Sequence, residues 1–247
     1  AAAQCHGVSH ERLERLEMQI AALTEMLYAQ RSDVKATTGQ GDAVFSWDVA
    51  LTNAFPEAAR PFEKDMHGGF NEDPETGLVY TGIPGYGLCC ISADLTTWTR
   101  LGTDERLQSN IHGIAVFKHA GETQIALAQN EAQRVLVVGL DGVIKQELVQ
   151  PKGGEFECAE ANGYYSHRPS LQVPWGNRDG RHRPTFACTD VTYLNGQLYV
   201  TTGYCDGDFV LTASEVGGRW QWGPTAWGGK GVHPGQFQTA HGIFAHG

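Results

Sequence analysis

The hydrophobic pattern changes about 40 residues into the chain. Residues 10–31 contain neither glycine nor proline, and their apolar positions recur at intervals of three and four: Leu13, Leu16, Ile20, Leu23 and Leu27. This heptad spacing predicts an amphipathic helix within 1–31. Two interpretations are open, a helix packed on its own domain or a coiled coil that oligomerises the chain. The polar stretch 32–42 is predicted to be a linker and favours the coiled coil.

From Ala43 onward, short apolar runs alternate with turn signals such as Asp141-Gly142 and Asn195-Gly196. No segment with helical periodicity intervenes, so the pattern predicts an antiparallel all-β domain over 43–247. The predicted strands include Val44–Trp47, Leu78–Thr81, Gly87–Ser92, Thr97–Leu101, Ile114–Lys118, Gln124–Ala128, Arg134–Gly139, Val143–Leu148, Asp190–Leu194, Gln197–Thr201, Phe209–Ala213 and Trp220–Trp222.

Four segments of this domain begin alike, at His67-Gly-Gly-Phe, His112-Gly-Ile-Ala, Thr189-Asp-Val-Thr and His241-Gly-Ile-Phe. The first three are each followed by further strands, and a four-stranded unit of about 40 residues is one blade of a β-propeller. An insertion at about 150–184 separates the second unit from the third. The fourth breaks off in its first strand, so we expect an incomplete propeller whose C-terminal blades are absent from these 247 residues.

The charge and the cysteines of the chain exclude some classes of protein and favour others. The chain carries 28 Asp and Glu against 18 Lys and Arg, which argues against a nucleic-acid-binding surface. No apolar run approaches the roughly 18 residues of a transmembrane helix. The six cysteines form no CxxC pair. Their number fits a secreted protein with disulfides, and a cytosolic protein with free thiols is the alternative interpretation. The pairing of Cys5, Cys89, Cys90 and Cys158 is left open.

The histidines that begin the blades are candidate metal ligands. The first strand of each blade lines the central channel, so His67, His112 and His241 are expected to converge on the propeller axis. Three imidazoles leave an open position on a zinc ion, as a catalytic site requires. The alternative is structural, with each imidazole bonded to a nearby backbone carbonyl.

The last third of the chain carries more specific motifs. They are Phe186-Ala-Cys-Thr-Asp-Val, Leu198-Tyr-Val-Thr-Thr-Gly-Tyr-Cys, Trp227-Gly-Gly-Lys-Gly and Pro234-Gly-Gln-Phe-Gln-Thr-Ala-His-Gly-Ile. With them the chain resembles NHL-repeat six-bladed β-propellers, and most of all the peptidyl-α-hydroxyglycine α-amidating lyase domain. The resemblance is dense over about 186–247 and weaker back to residue 67.

The resemblance implies roles for individual residues. Cys188 and Cys205 match a disulfide of the lyase, His112 and His241 match two of its zinc-binding histidines, and Tyr204 matches its catalytic tyrosine. The backbone carbonyls near Phe70 and Ile114 match a structural calcium site. His67 has no counterpart in the lyase and is an alternative axial ligand. An enzyme of this kind would be a carbon–nitrogen lyase of the peptidylamidoglycolate lyase type.

The chain departs from the lyase at two arginine positions, where Gly82-Ile83 and Asp208 stand instead. Loss of these cations removes the charge stabilisation expected for a developing oxyanion. The favoured prediction is therefore an extracytoplasmic, secreted binding or assembly module, self-associated through its helix, with a protein or peptide ligand and an ion on its axis. The alternatives are a zinc-dependent amidating lyase and, less favoured, a propeller hydrolase with calcium in the channel.

Overall fold

The computed structural model describes residues 37–40, 43–46, 50–151, 157–158, 186–205 and 208–246. The predicted helix with its seam of Leu13, Leu16, Ile20, Leu23 and Leu27 lies outside the described residues, as does most of the insertion. The chain divides into two units, Ala1–Asn53 and Ala54–Gly247.

The described part of the first unit is a β-hairpin and one helical turn. Strand β1, Thr37–Gln40, pairs antiparallel with β2, Ala43–Ser46, and α1 spans Ala50–Asn53. Strand β1 falls in the segment 32–42 that was predicted to be a linker, and β2 overlaps the predicted strand Val44–Trp47.

The described part of the second unit contains three sheets of antiparallel strands in which each strand pairs with the next along the chain. The first has β3 Phe70–Glu72, β4 Val79–Ile83, β5 Gly87–Ile91 and β6 Trp98–Leu101; the second has β7 Gly113–His119, β8 Glu122–Gln129, β9 Arg134–Gly139 and β10 Ile144–Val149; the third has β12 Cys188–Leu194, β13 Gln197–Thr202, β14 Phe209–Val216 and β15 Arg219–Gly228. The short strand β11, Glu157–Cys158, adds to β15 in parallel. Two 3-10 helices, Glu57–Asp65 and Glu105–Gln108, flank the first sheet in sequence.

The sheets pack face to face as successive blades. The inner strand β7 contacts both β3 and β12, the inner strands of its neighbours. Along β9, Leu136 and Val138 belong to the hydrophobic cluster shared with the first blade, whereas Val135 and Val137 belong to the cluster shared with the third. Because both faces of the middle blade are buried, its strands are apolar at consecutive positions rather than alternating.

This arrangement confirms the predicted all-β propeller of four-stranded blades. Strand β3 was not predicted as a strand because its three residues, Phe70, Asn71 and Glu72, are exposed or half-buried and do not form an apolar run. The predicted turn at Asn195-Gly196 is present with positive φ at both residues, 51° and 85°, as a two-residue hairpin of type I′ requires. Among the described residues no helix is long and apolar enough to cross a membrane.

Candidate axial histidine site

The structure brings together four residues that the sequence singled out: His67, His112, His241 and Tyr204. The ring centre of His112 lies 4.8 Å from that of His67 and 4.7 Å from that of His241. The Tyr204 ring lies 5.7 Å from His112 and 5.4 Å from His241. His67 and His112 stand shortly before the inner strands β3 and β7, and His241 occupies the matching position of the repeat in a segment that forms no strand. The shared position in the repeat thus corresponds to a cluster in space. We call these four residues the axial histidine site.

His112 is the buried member of the site, with 5% of its surface exposed. Its Nδ1 lies 2.7 Å from the carbonyl oxygen of Thr189. Since a carbonyl can only accept, Nδ1 carries the proton and Nε2 of the neutral ring presents a lone pair. That Nε2 is buried and has no hydrogen-bond partner in the structure.

The environment of His112 favours its neutral form. Burial lowers the pKa of His112, the bond to the Thr189 carbonyl opposes this shift, and the neighbouring charges of His241 and His67 add to the lowering. A neutral imidazole with an uncommitted nitrogen is the form that binds a metal ion.

His241 already has a partner in this structure. The Tyr204 hydroxyl lies 2.6 Å from His241 Nε2. Tyr204 has φ of 55°, a left-handed conformation that is uncommon for a bulky side chain. Backbone strain of this kind clusters at functional sites.

Side chains rather than a backbone ladder position His241. The segment 239–246 is not part of any strand, and polar side chains of β12 bind its backbone instead: Thr189 Oγ1 donates to Ala240 O at 2.6 Å, Asp190 Oδ2 accepts from Ile243 N at 3.0 Å, and Thr192 Oγ1 accepts from Ala245 N at 3.3 Å. Burial raises the pKa of Asp190, and the amides of Ile243 and Val191 partly offset this effect.

Asp208 supports the same segment from the other side. It is fully buried, and its Oδ2 accepts from Thr239 N at 2.8 Å and lies 3.8 Å from Lys230 Nζ. From the sequence, Asp208 is recognised only as a departure from the lyase, and Asp190 has no predicted role in the site. The Asp190–Ile243 and Asp208–Thr239 contacts have no sequence signal, because they join residues 53 and 31 positions apart.

The site has the donors of a zinc site without the geometry of a loaded one. Among the described residues, no group of three His, Cys, Asp or Glu is arranged to hold a metal ion as it stands. Ring centres around a tetrahedral zinc with bonds of about 2.0 Å would lie about 5 Å apart, close to the spacings observed here. The donor set therefore fits the ion, whereas His241 Nε2 still faces Tyr204.

A channel runs along the inner strands beside this site, and none of the four site residues lines it. Its cavity of about 970 Å³ is lined by residues that include Gly69, Phe70, Ile114, Asp190 and Gly242. Gly69 and Gly242 lie two and one positions after His67 and His241. Phe70 and Ile114 both border the channel, and the calcium site at their carbonyls stays a prediction.

The predicted bridge is not formed in the structure. Cys188 and Cys205 are both buried free thiols, and so is Cys89, while Cys90 is a half-buried free thiol. Burial raises the pKa of Cys188 well above its usual range, and the charge of the nearby Cys205 adds to the shift. Pairing of Cys188 with Cys205 in an oxidised protein stays a prediction from the resemblance.

No protein-family model and no curated protein matches the chain. Among solved structures, it is similar to BBS1N in its complex with ARL6DN (TM-score 0.37, 11% identity, 62% of this chain and 36% of that one). It is similar also to Sqt1 of Saccharomyces cerevisiae, with a TM-score of 0.37 and 12% identity over 72% of this chain and 37% of that one. A third similar structure is an oxidoreductase of Thermus thermophilus described as a glucose dehydrogenase, with a TM-score of 0.32 and 14% identity over 64% of this chain and 51% of that one. The chain thus spans between about a third and a half of these proteins, and likeness this distant adds nothing about function.

Proposed function

We propose that this chain is a propeller binding or assembly module built around a zinc ion held by His67, His112 and His241. The observation that carries the proposal is the buried Nε2 of His112, which has no hydrogen-bond partner and lies among two other imidazoles. A buried polar atom left unsatisfied costs about 1–3 kcal/mol. A metal ion at this nitrogen would remove that cost.

The remaining residues have supporting roles in the proposed site. Thr189 fixes the tautomer of His112 through its carbonyl, as an outer hydrogen-bond partner of a ligating histidine does. The bound ion would act as a Lewis acid towards an oxygen of the ligand. The adjoining channel is large enough for a peptide segment. Calcium is the second ion proposed, at the carbonyls of Phe70 and Ile114.

Metal analysis of the full chain tests the proposal. We expect about one zinc per chain in protein prepared without chelator. His112→Ala is expected to lower zinc affinity by at least about 100-fold, more than loss of an outer hydrogen-bond partner does. The exposed His233, replaced by alanine, is the matched control and should leave affinity unchanged. Substoichiometric zinc, or equal affinity in the His112 variant, contradicts the proposal.

Self-association through the helix of 1–31 is part of the proposal, since its five seam residues are spaced as a coiled coil requires. Sedimentation of the intact chain is expected to show an oligomer, and a chain that starts at residue 32 a monomer. A monomer in both cases contradicts the coiled coil.

Secretion of the protein is also part of the proposed function, and the presence of a Cys188–Cys205 disulfide in native protein would support it.

An amidating-lyase-like enzyme is the second candidate, favoured by the Tyr204 hydroxyl lying at His241. Such an enzyme would cleave a peptidyl-α-hydroxyglycine at its carbon–nitrogen bond into a peptide amide and glyoxylate. Zinc-loaded protein incubated with a synthetic substrate of this type would release glyoxylate above the uncatalysed rate. No release above that rate leaves the binding module as the function.

A further inference from the structure

We infer that Tyr204 is a latch on the axial histidine site, which competes with the metal ion for His241. The inference rests on the proposed function and adds a control of metal affinity to it. In the latched state the Tyr204 hydroxyl holds His241 Nε2; in the metal-bound state that nitrogen binds the ion and the tyrosine is released.

The competition follows from the hydrogen-bonding capacity of the imidazole. A neutral ring has one acceptor nitrogen, and the 2.6 Å contact with the phenol places the Tyr204 hydroxyl on Nε2 of His241. If Nε2 is the acceptor, its lone pair is engaged; if it carries the proton, it has no lone pair to offer. In either case a metal ion cannot bind at Nε2 until the tyrosine contact is broken, and in the second case the ring proton must also move to Nδ1.

Within the axial histidine site, His112 and His241 differ in whether their Nε2 is free to bind a metal ion. His112 keeps Nε2 uncommitted because its other nitrogen is bound to the Thr189 carbonyl. His241 has its Nε2 occupied by a side chain that is itself 38% exposed. One ligand is thus preorganised, and the other is covered by a group that has solvent to move into.

The backbone of Tyr204 agrees with a residue held in place for a function. Its φ of 55° is strained for a non-glycine residue. The preceding Gly203 packs closely against the backbone that leads to His241, with Ala240 O only 2.6 Å from where a Cβ would stand. The turn that carries Tyr204 is therefore seated against the segment that carries His241.

Zinc affinity of the full chain, measured by competition with a chelator, tests the latch with Tyr204→Phe. The variant keeps the ring and removes the hydroxyl, so zinc should bind about two- to tenfold more tightly, as expected from one net hydrogen bond. Tyr193→Phe is the matched control, because the Tyr193 hydroxyl also lies on a histidine, 3.1 Å from His119 Nδ1, outside the axial histidine site. The zinc affinity of Tyr193→Phe should equal that of the unaltered chain.

A second measurement uses the unaltered chain. Nitration of Tyr204 by tetranitromethane, mapped by mass spectrometry, should become severalfold faster when zinc is added. Equal or weaker zinc affinity in Tyr204→Phe, or slower nitration with zinc, overturns the latch and makes Tyr204 a bystander or a ligand. Absence of zinc binding in both the unaltered chain and Tyr204→Phe overturns the proposed function and the latch with it.

Discussion

Replacing Gly113 by alanine is expected to lower the free energy of unfolding by about 1–3 kcal/mol or more. A Cβ at this position would stand 2.5 Å from Cα of Asp190 and 2.9 Å from the carbonyl oxygen of Thr189. These are backbone atoms of β12, so the clash is relieved only if β7 and β12 separate. Separation would also draw His112 away from its Thr189 acceptor, so zinc affinity should fall with stability. Urea unfolding and a zinc titration measure the two effects.

Gly69 offers the matched control for this substitution. It also stands near the start of an inner strand, but its added Cβ would meet only Ile114 Cγ2, at an ordinary 3.7 Å. Alanine there should leave stability within about 1 kcal/mol or raise it slightly, because it restricts the unfolded chain. Equal losses in the Gly113 and Gly69 variants would contradict the close approach of β7 and β12.

Truncation of Leu127 to alanine is expected to lower the free energy of unfolding by about 2–5 kcal/mol. Leu127 is fully buried in the cluster between the first and second blades, with Ile114, Leu136 and Val138. Those neighbours belong to strands paired in a sheet and cannot collapse into the space left behind. The midpoint and slope of urea unfolding measure the loss.

The control for Leu127 is Val143→Ala. Val143 lies in the turn before β10 and is 59% exposed, so its truncation should change stability by less than about 0.5 kcal/mol. A loss at Leu127 no larger than this would mean that the two blades do not pack face to face through this cluster.

The blades were predictable because their signal is local. The strand β9 was predicted with its observed bounds, Arg134–Gly139, and the other blade strands except β3 and β15 were placed within a few residues. For β15 the start was placed within one residue, but the strand continues to Gly228 where the prediction ended at Trp222. Apolar runs and turn residues such as Asn195-Gly196 act over a few positions, where chain connectivity already enforces proximity. Strand β3 escaped prediction because it is held by pairing with β4 rather than by burial of its own side chains.

The convergence of His67, His112 and His241 was also predictable, since the repeat assigns all three to one place in the blade. The side chains that hold the backbone around His241 could not be predicted from the sequence. Asp190 and Asp208 hold the backbone around His241 across 53 and 31 residues of sequence. Such contacts depend on how β12 meets the returning segment, which no periodicity encodes.

By itself, then, the sequence determined the strand pattern, the blade repeat and the shared position of the three histidines. The tertiary structure alone decided which imidazole is buried, that His112 Nε2 lacks a hydrogen-bond partner, and that Tyr204 covers His241. The physical reason is range: strand patterns arise from neighbours along the chain, whereas burial and hydrogen-bond partners arise from blades that meet only after folding.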